Sequence, residues 1–302
     1  MTSATMTSAP APPPVPAVRH PAGLPPHLAA REDTLVMGIL NITADSFSDG
    51  GAHLAPADAL EHGRRLAAQG AAIIDIGGES TRPGAARVSA EDELARVIPA
   101  VRALSAEGIC VSVDTMRAVV AEESVKAGAI IINDVSGGLA DPAMGTTCAR
   151  ARTRLGEPPV YVAMHWRGHS DVMVARDVYD DVAADTAREL GERIDALVAD
   201  GIERDRIVAD PGLGFAKNGA SNWEVLARWE QMEAFDLPLL IGASRKRFVQ
   251  ALFTEELAVD RDHATAAISA YSALHGAWCV RVHDVPGSVA AVAVAAALRE
   301  HA

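Results

Sequence analysis

The chain has little of what a disulfide-built, zinc-held or nucleic-acid-binding protein needs. Its three cysteines, Cys110, Cys148 and Cys279, are far apart, odd in number and form no CxxC pair. That argues against a disulfide framework and a zinc site and fits a reducing cytoplasm. Positive charge is scarce: 27 Lys plus Arg stand against 40 Asp plus Glu, a net charge of −13. No basic face is left to neutralise a nucleic-acid backbone. Only three of the cations are lysines, Lys126, Lys217 and Lys246. Long apolar runs are missing too, since the longest, Val289 to Leu298, is ten residues, too short to span a bilayer. Met1 to Pro26 has no basic segment ahead of an apolar stretch, so a secretory signal is not expected. The expectation is a soluble, cytoplasmic protein with neither nucleic-acid nor membrane partners.

What the chain does have is length and apolar content: 302 residues, 49% of them hydrophobic, ample for a packed core. Eight of its 17 prolines fall between Pro10 and Pro26 among Ala, Ser and Thr, a composition that buries no core of its own. Residues 1–33 therefore read as a disordered, dispensable tail and residues 34–302 as one domain.

Within that domain short Val- and Ile-rich runs alternate with segments of helical period. The runs are Leu35 to Leu40, Ala72 to Ile76, Cys110 to Val113, Ile130 to Ile132, Val160 to Met164, Ile207 to Ala209, Leu239 to Ile241 and Cys279 to Val282. Gly70, Gly108, Gly128 and Gly276 precede strands, where a left-handed residue ends a helix. Eight β/α units of this size imply an α/β fold, a (β/α)8 barrel, rather than an open doubly wound sheet.

In such barrels chemistry sits at the C-terminal ends of the strands. The residues there are Asn41, Asp75, Asp114, Asn133, His165, Asp210, Ser244, and Arg281 with His283, all polar. Asp75 taken alone is equally well explained as the point where polarity resumes. Arg281 and His283, two apart, face one way, with Val280 and Val282 facing the other. The segment from Asn41 to Gly51 is long and polar enough for a lid, and it lacks the alternating carboxylates and closing Glu of a calcium loop. Arg82 sits on a glycine-bracketed loop suited to clamping an anion. The stretch Asp210 to Lys217 fails the GxGxxG pattern, leaving a fixed carboxylate followed by a flexible loop with Phe215 and Lys217. Ser244 lies in no GxSxG elbow, and no HExxH element is present. Asp114, Asn133 and Asp210 suit the edge of an amino-substituted heterocycle, and Arg281, His283 and Arg82 suit a phosphate. The residues by themselves point to a barrel enzyme acting on a phosphorylated nitrogen heterocycle.

The ordered segments MGILNITADSFSDGG, DIGGESTRPGA, VSVDT, INDVSGG, DPGLGFAK, GASRKRF and VRVHD resemble those of the dihydropteroate synthases, over Val36 to about Leu298. The resemblance implies a TIM barrel, commonly a homodimer, that joins 6-hydroxymethyl-7,8-dihydropterin pyrophosphate to p-aminobenzoate with Mg2+. By the same resemblance Asp114, Asn133, Asp210 and Lys246 read the pterin and Thr81 adds a contact. Arg281 and His283 hold pyrophosphate, and Asn41 is the magnesium-linked asparagine. Phe47, Asp49, Arg82 and Pro83 belong to two mobile loops, while Phe215, Ser244 and Lys246 line the p-aminobenzoate end. Asp114, Lys246, Arg82 and Asp49 are then the catalytic candidates. Closure of the loops over pyrophosphate would complete the pocket for p-aminobenzoate, or for a sulfonamide mimicking it, so that binding is ordered. Two positions depart from the family pattern: Ala44 replaces a common proline, and Arg247 stands where many relatives have serine. The pterin-binding barrel of a methyltetrahydrofolate methyltransferase is the related alternative, and it should lack the cationic pyrophosphate set.

Overall fold

A computed structural model describes residues 16–42, 56–80, 87–169, 176–253 and 258–301. The strands are β1 (Leu35–Asn41), β2 (Ile73–Gly77), β3 (Val111–Asp114), β4 (Ile131–Asp134), β5 (Val160–Met164), β6 (Ile207–Asp210), β7 (Leu240–Ile241) and β8 (Cys279–Val282). All pair in parallel, in the order β6-β5-β4-β3-β2-β1-β8-β7. A bridge between Ala209 and Leu239 brings β7 back to β6 and completes the ring. The expected eight runs and the barrel are thus present, with β7 cut to two residues. Gly70, Gly108, Gly128 and Gly276 all have positive φ, between 77° and 122°, where a side chain would be strained.

Strand parity divides the core into two layers. Val36, Leu40, Ile74, Ile76, Val111 and Val113 face outward into the packing between barrel and helices. Leu35, Met37, Ile73, Ile131, Val160, Val208 and Cys279 pack together inside the lower barrel. Continuing upward on the inner parity, the apolar residues give way to Asp75, Asp114, Asn133, Asp210 and Arg281. The charged interior is therefore confined to the C-terminal end, above a plug that is apolar but for the Ser112 hydroxyl. Asp134, one residue beyond Asn133, takes the opposite parity. Its carboxylate accepts from Ser136, Gly138 and, at 2.6 Å, the Tyr161 hydroxyl, shaping the turn after β4 instead of entering the site.

The N-terminal segment departs from expectation. Residues 1–15 lie outside the described residues, but residues 16–33 are docked against the barrel rather than disordered. A short helix, Pro26–Ala29, sets Leu28 inward, and Leu24 and Leu28 join Leu35, Val160, Val208 and Trp278 beneath the barrel. Ala22 N–H donates to Asp205 O at 2.8 Å. The proline-rich composition hides this anchoring: two leucines placed over an existing apolar floor need no core of their own, and proline fits a segment that runs without a ladder.

Leu28→Ala is accordingly expected to destabilise the protein by about 3 kcal/mol, the scale of a buried leucine truncation. Urea unfolding measures it; a midpoint equal to wild type would mean the segment is not seated.

Candidate active site

The mouth of the barrel holds a cavity of about 700 Å³. Asn41, Asp114, Asn133, Asp210, Phe215, Ser244, Lys246, Arg281 and His283 all line it, so nine expected site residues, from six strands and the turns that follow them, converge. Phe47, Asp49, Thr81, Arg82 and Pro83, as well as Ala44, fall outside the described residues.

At its centre lies Arg281. Its Nε donates to Asp75 Oδ2 at 2.6 Å, and its Nη2 donates to Asp114 Oδ2 at 2.8 Å. Asn133 Nδ2 donates to the same Asp75 oxygen at 3.1 Å. A guanidinium is satisfied by such a fork, and burial of one cation with two carboxylates leaves the cluster one negative charge in excess when both are ionised. That excess falls on Asp114: burial pushes its carboxyl up to about 7, Arg281 opposes the shift, and Asp75, Glu93 and Asp134 add to it. A ligand that donates N–H bonds to Asp114 would favour its ionised form.

Asp75 therefore has a firmer place than its polarity alone suggested. It is fully buried and organises both Arg281 and Asn133. The signal was parity: Ile73, Asp75 and Gly77 share the inner face of β2, and a carboxylate there must have a partner. Arg281, expected at pyrophosphate, is committed through two of its nitrogens to carboxylates. His283, one residue past β8, is set by Ser244, whose Oγ lies 3.0 Å from Nδ1 and accepts from the His283 backbone N–H at 3.1 Å. Asp284 then caps the next helix by accepting from Gly287 N–H at 3.1 Å, which fixes how the chain leaves β8.

The three cations after β7 separate. Arg245, with φ of 57°, turns away to pair with Asp262 at 2.8 Å. Lys246 points inward, its ammonium donating to Leu213 O and lying 4.6 Å from the centroid of the Phe215 ring. Arg247 stands at the cavity wall. Burial pulls the Lys246 pKa down to about 8, with Asp210 opposing, so it remains a cation at neutral pH. Burial pushes the Asp210 carboxyl up, with Lys246 the first opposing charge, and Asp210 Oδ1 accepts from Gly212 N–H at 2.7 Å.

The loop after β6 is tied down rather than flexible. Gly212, Gly214 and Ala216 have φ of 67°, 77° and 46°, and this alternation turns successive peptide groups toward side chains that hold them. A Cβ on Gly212 would sit 2.4 Å from His165 O, so that approach requires glycine. Gly214 N–H donates to Asn222 Oδ1 at 2.5 Å, and Tyr179 hydroxyl donates to Ala216 O at 2.9 Å. Lys217, buried, reaches His165 at 2.9 Å. None of these partners is near the loop in sequence except Asn222, which is why the loop reads as flexible from sequence alone.

Asn41 presents an amide at the cavity end of β1, and among the described residues no three His, Cys, Asp or Glu side chains gather as a metal site. A neutral oxygen donor lining the cavity fits a largely hydrated Mg2+ completed by ligand oxygens, the coordination that ion prefers.

Comparison with known proteins agrees with this geometry. The pattern of the family described as pterin binding enzyme matches residues 37–283. The chain is 48% identical over 272 residues to a dihydropteroate synthase of Mycobacterium leprae, covering 87% of this chain and 92% of that protein. Its structure is similar to that of the Yersinia pestis dihydropteroate synthase in a sulfonamide drug complex, with TM-score 0.84, 40% identity, and coverage of 94% and 99% of the two chains. It is also similar to the Xanthomonas albilineans dihydropteroate synthase with 4-aminobenzoic acid, at TM-score 0.79 and 41% identity, covering 89% of this chain and 94% of that one.

The central cluster makes a stability prediction with a definite pH sign. Arg281→Met leaves Asp75 and Asp114 buried without their cation, at a cost of about 3–5 kcal/mol when both are ionised. Because the Asp114 carboxyl is already raised in the folded protein, acid restores a proton to it and removes part of that cost. Urea unfolding of both proteins is expected to show a larger deficit at about pH 8 than at about pH 5; equal deficits would mean that the guanidinium does not balance the two carboxylates.

Proposed function

The chain belongs to the dihydropteroate synthase family of pterin-binding enzymes, and from that membership we propose how its own side chains divide the work. The reaction is transfer of the pterin-bearing methylene: 6-hydroxymethyl-7,8-dihydropterin pyrophosphate and p-aminobenzoate give 7,8-dihydropteroate and pyrophosphate. The observation that carries the assignment of roles is the Asp75–Arg281–Asp114 bridge with Asn133 beside it, at the base of one cavity.

Asp114 and Asp210 accept N–H bonds from the amino-substituted pterin edge, Asn133 meets its mixed donor and acceptor groups, and Lys246 donates to a ring acceptor. His283, oriented by Ser244, and the remaining nitrogen of Arg281 face the pyrophosphate. Asn41 would hold Mg2+, which when bound would neutralise charge on the leaving group. Thr81 would add a contact and Arg82 would clamp the anion, with Phe47 and Pro83 assigned to the p-aminobenzoate pocket and Asp49 to the catalytic groups.

The C–O bond then breaks with its electron pair on pyrophosphate, leaving a methylene cation that the electron-rich dihydropterin delocalises. The ionised Asp114 stabilises this cation from a fixed position in a largely dry site. The amine of p-aminobenzoate is neutral near pH 7, so it needs placement more than a base. Its lone pair forms the C–N bond and one proton leaves the nitrogen. Phe215, Ser244 and Lys246 set the aromatic acid, with Arg247 at its approach. On this reading binding is ordered, with the pterin pyrophosphate before p-aminobenzoate.

The protein works as a cytoplasmic homodimer with small-molecule partners. The resemblance supports the dimer, and no described helix is long and apolar enough to cross a membrane.

Two measurements test the reading together. Pyrophosphate release should require both the pterin pyrophosphate and p-aminobenzoate. Asp114→Asn should fold yet lose about 100-fold or more in kcat, the effect of removing one preorganised charge. Release from the pterin substrate alone at the full rate, or a kcat near wild type in the variant, would contradict it.

A further inference from the structure

Lys217 is used by none of the steps above, yet it is a buried lysine with an acceptor for each of its protons. Its Nζ lies 2.9 Å from His165 Nδ1 and 3.4 Å from the carbonyl oxygens of both Gly212 and Phe215. Burial pulls its pKa down to about 7, with Asp210 opposing; as an ammonium it is satisfied by these three acceptors, whereas a methionine would fill the same space without desolvating a charge. A lysine in this place therefore acts through the geometry of the groups it bonds.

His165 is built to receive it. Burial and the charge of Lys217 pull the imidazole down to about 4, so the ring is neutral. Its Nε2–H donates to Glu189 at 3.0 Å, leaving Nδ1 as the acceptor. Glu189 in turn accepts a two-pronged bond from Arg167, at 2.8 and 2.5 Å, and the Arg167 guanidinium stacks 3.7 Å from the centroid of the Tyr179 ring. The Tyr179 hydroxyl donates to Ala216 O, beside Lys217. The chain of contacts thus closes on the loop from which it starts and clamps Phe215 between Ala216 and Gly214, both held in left-handed backbone.

We propose that Lys217, fixed by His165, is a positioning residue for the arylamine substrate: by holding the carbonyls of Gly212 and Phe215 it sets the Phe215 ring that packs against p-aminobenzoate. This rests on the placing of Phe215 at the p-aminobenzoate end. Asp114 and Asn133 sit on strands away from the clamp, and Asp210 and Lys246 keep their own bonds to Gly212 N–H and Leu213 O, so its loss acts mainly on the arylamine.

Steady-state kinetics and pterin calorimetry on Lys217→Met, His165→Leu, His165→Asn and Phe215→Ala test this. Lys217→Met and His165→Leu are each expected to raise KM for p-aminobenzoate about tenfold, the weight of one charge-assisted hydrogen bond. The kcat at saturation and the pterin Kd should stay within about threefold of wild type. His165→Asn, whose amide oxygen replaces the Nδ1 acceptor, should recover most of the lost KM. A wild-type KM in Lys217→Met alongside a raised KM in Phe215→Ala overturns the inference and leaves the Phe215 assignment standing. Unchanged KM in both overturns the two together. Should Lys217→Met fail to fold, the His165 pair decides: equal KM in the Leu and Asn variants overturns the inference.

Discussion

Arg281 brings a positive charge into the mouth of a parallel barrel, where it survives only because β2 and β3 each present a carboxylate to it. Much of the site follows from that arrangement. Asp75 holds one side of the guanidinium and also takes the Asn133 amide, so three strands are cross-linked by side chains at the level where the ligand cavity begins. Asp114 holds the other side but carries the surplus negative charge, and burial raises its carboxyl. A carboxylate in that position is costly in the empty site and favourable once a donor or a cation is placed against it. The proposed mechanism therefore rests on electrostatics arranged before the substrate arrives.

The barrel supplies the contrast that makes this work. Below the charged layer lies an apolar plug closed from beneath by Leu24, Leu28 and Trp278. The charged groups thus have a low-dielectric floor and rigid strands beneath them. Above lie loops of two kinds. The one after β6 is tied down by Lys246, Lys217, Asn222 and Tyr179, although it contains no regular structure. In the proposed division of work the strand ends read the pterin, and a loop held by side chains places the arylamine.

The sequence makes some of these layers legible and conceals others. Position at the C-terminal ends of the strands placed Asp114, Asn133, Asp210 and Arg281 together, because the point where an apolar run stops is legible locally. Asp75 obeyed the same rule, but a single carboxylate in an apolar run has an ordinary explanation until its partner 206 residues away is known. The docking of Leu24 and Leu28 depends on a floor built by other strands, so a proline-rich composition misrepresents it. The loop after β6 read as flexible because its restraints come from afar: Lys217 meets His165 across 52 residues and Tyr179 meets Ala216 across 37. Such contacts carry no periodicity, and Lys246 was singled out by the scarcity of lysine together with the family resemblance.

The central claim, that Asp114 is poised by burial against Arg281, is tested most directly by its own titration. Carbon-13 carboxyl shifts of aspartate-labelled protein, with Asp114→Asn to assign the signal, would follow it in the free enzyme. The account predicts a midpoint near 7, moving downward when a dihydropterin binds and donates to the carboxylate. A midpoint at the ordinary aspartate value of about 4, unmoved by the ligand, would contradict it.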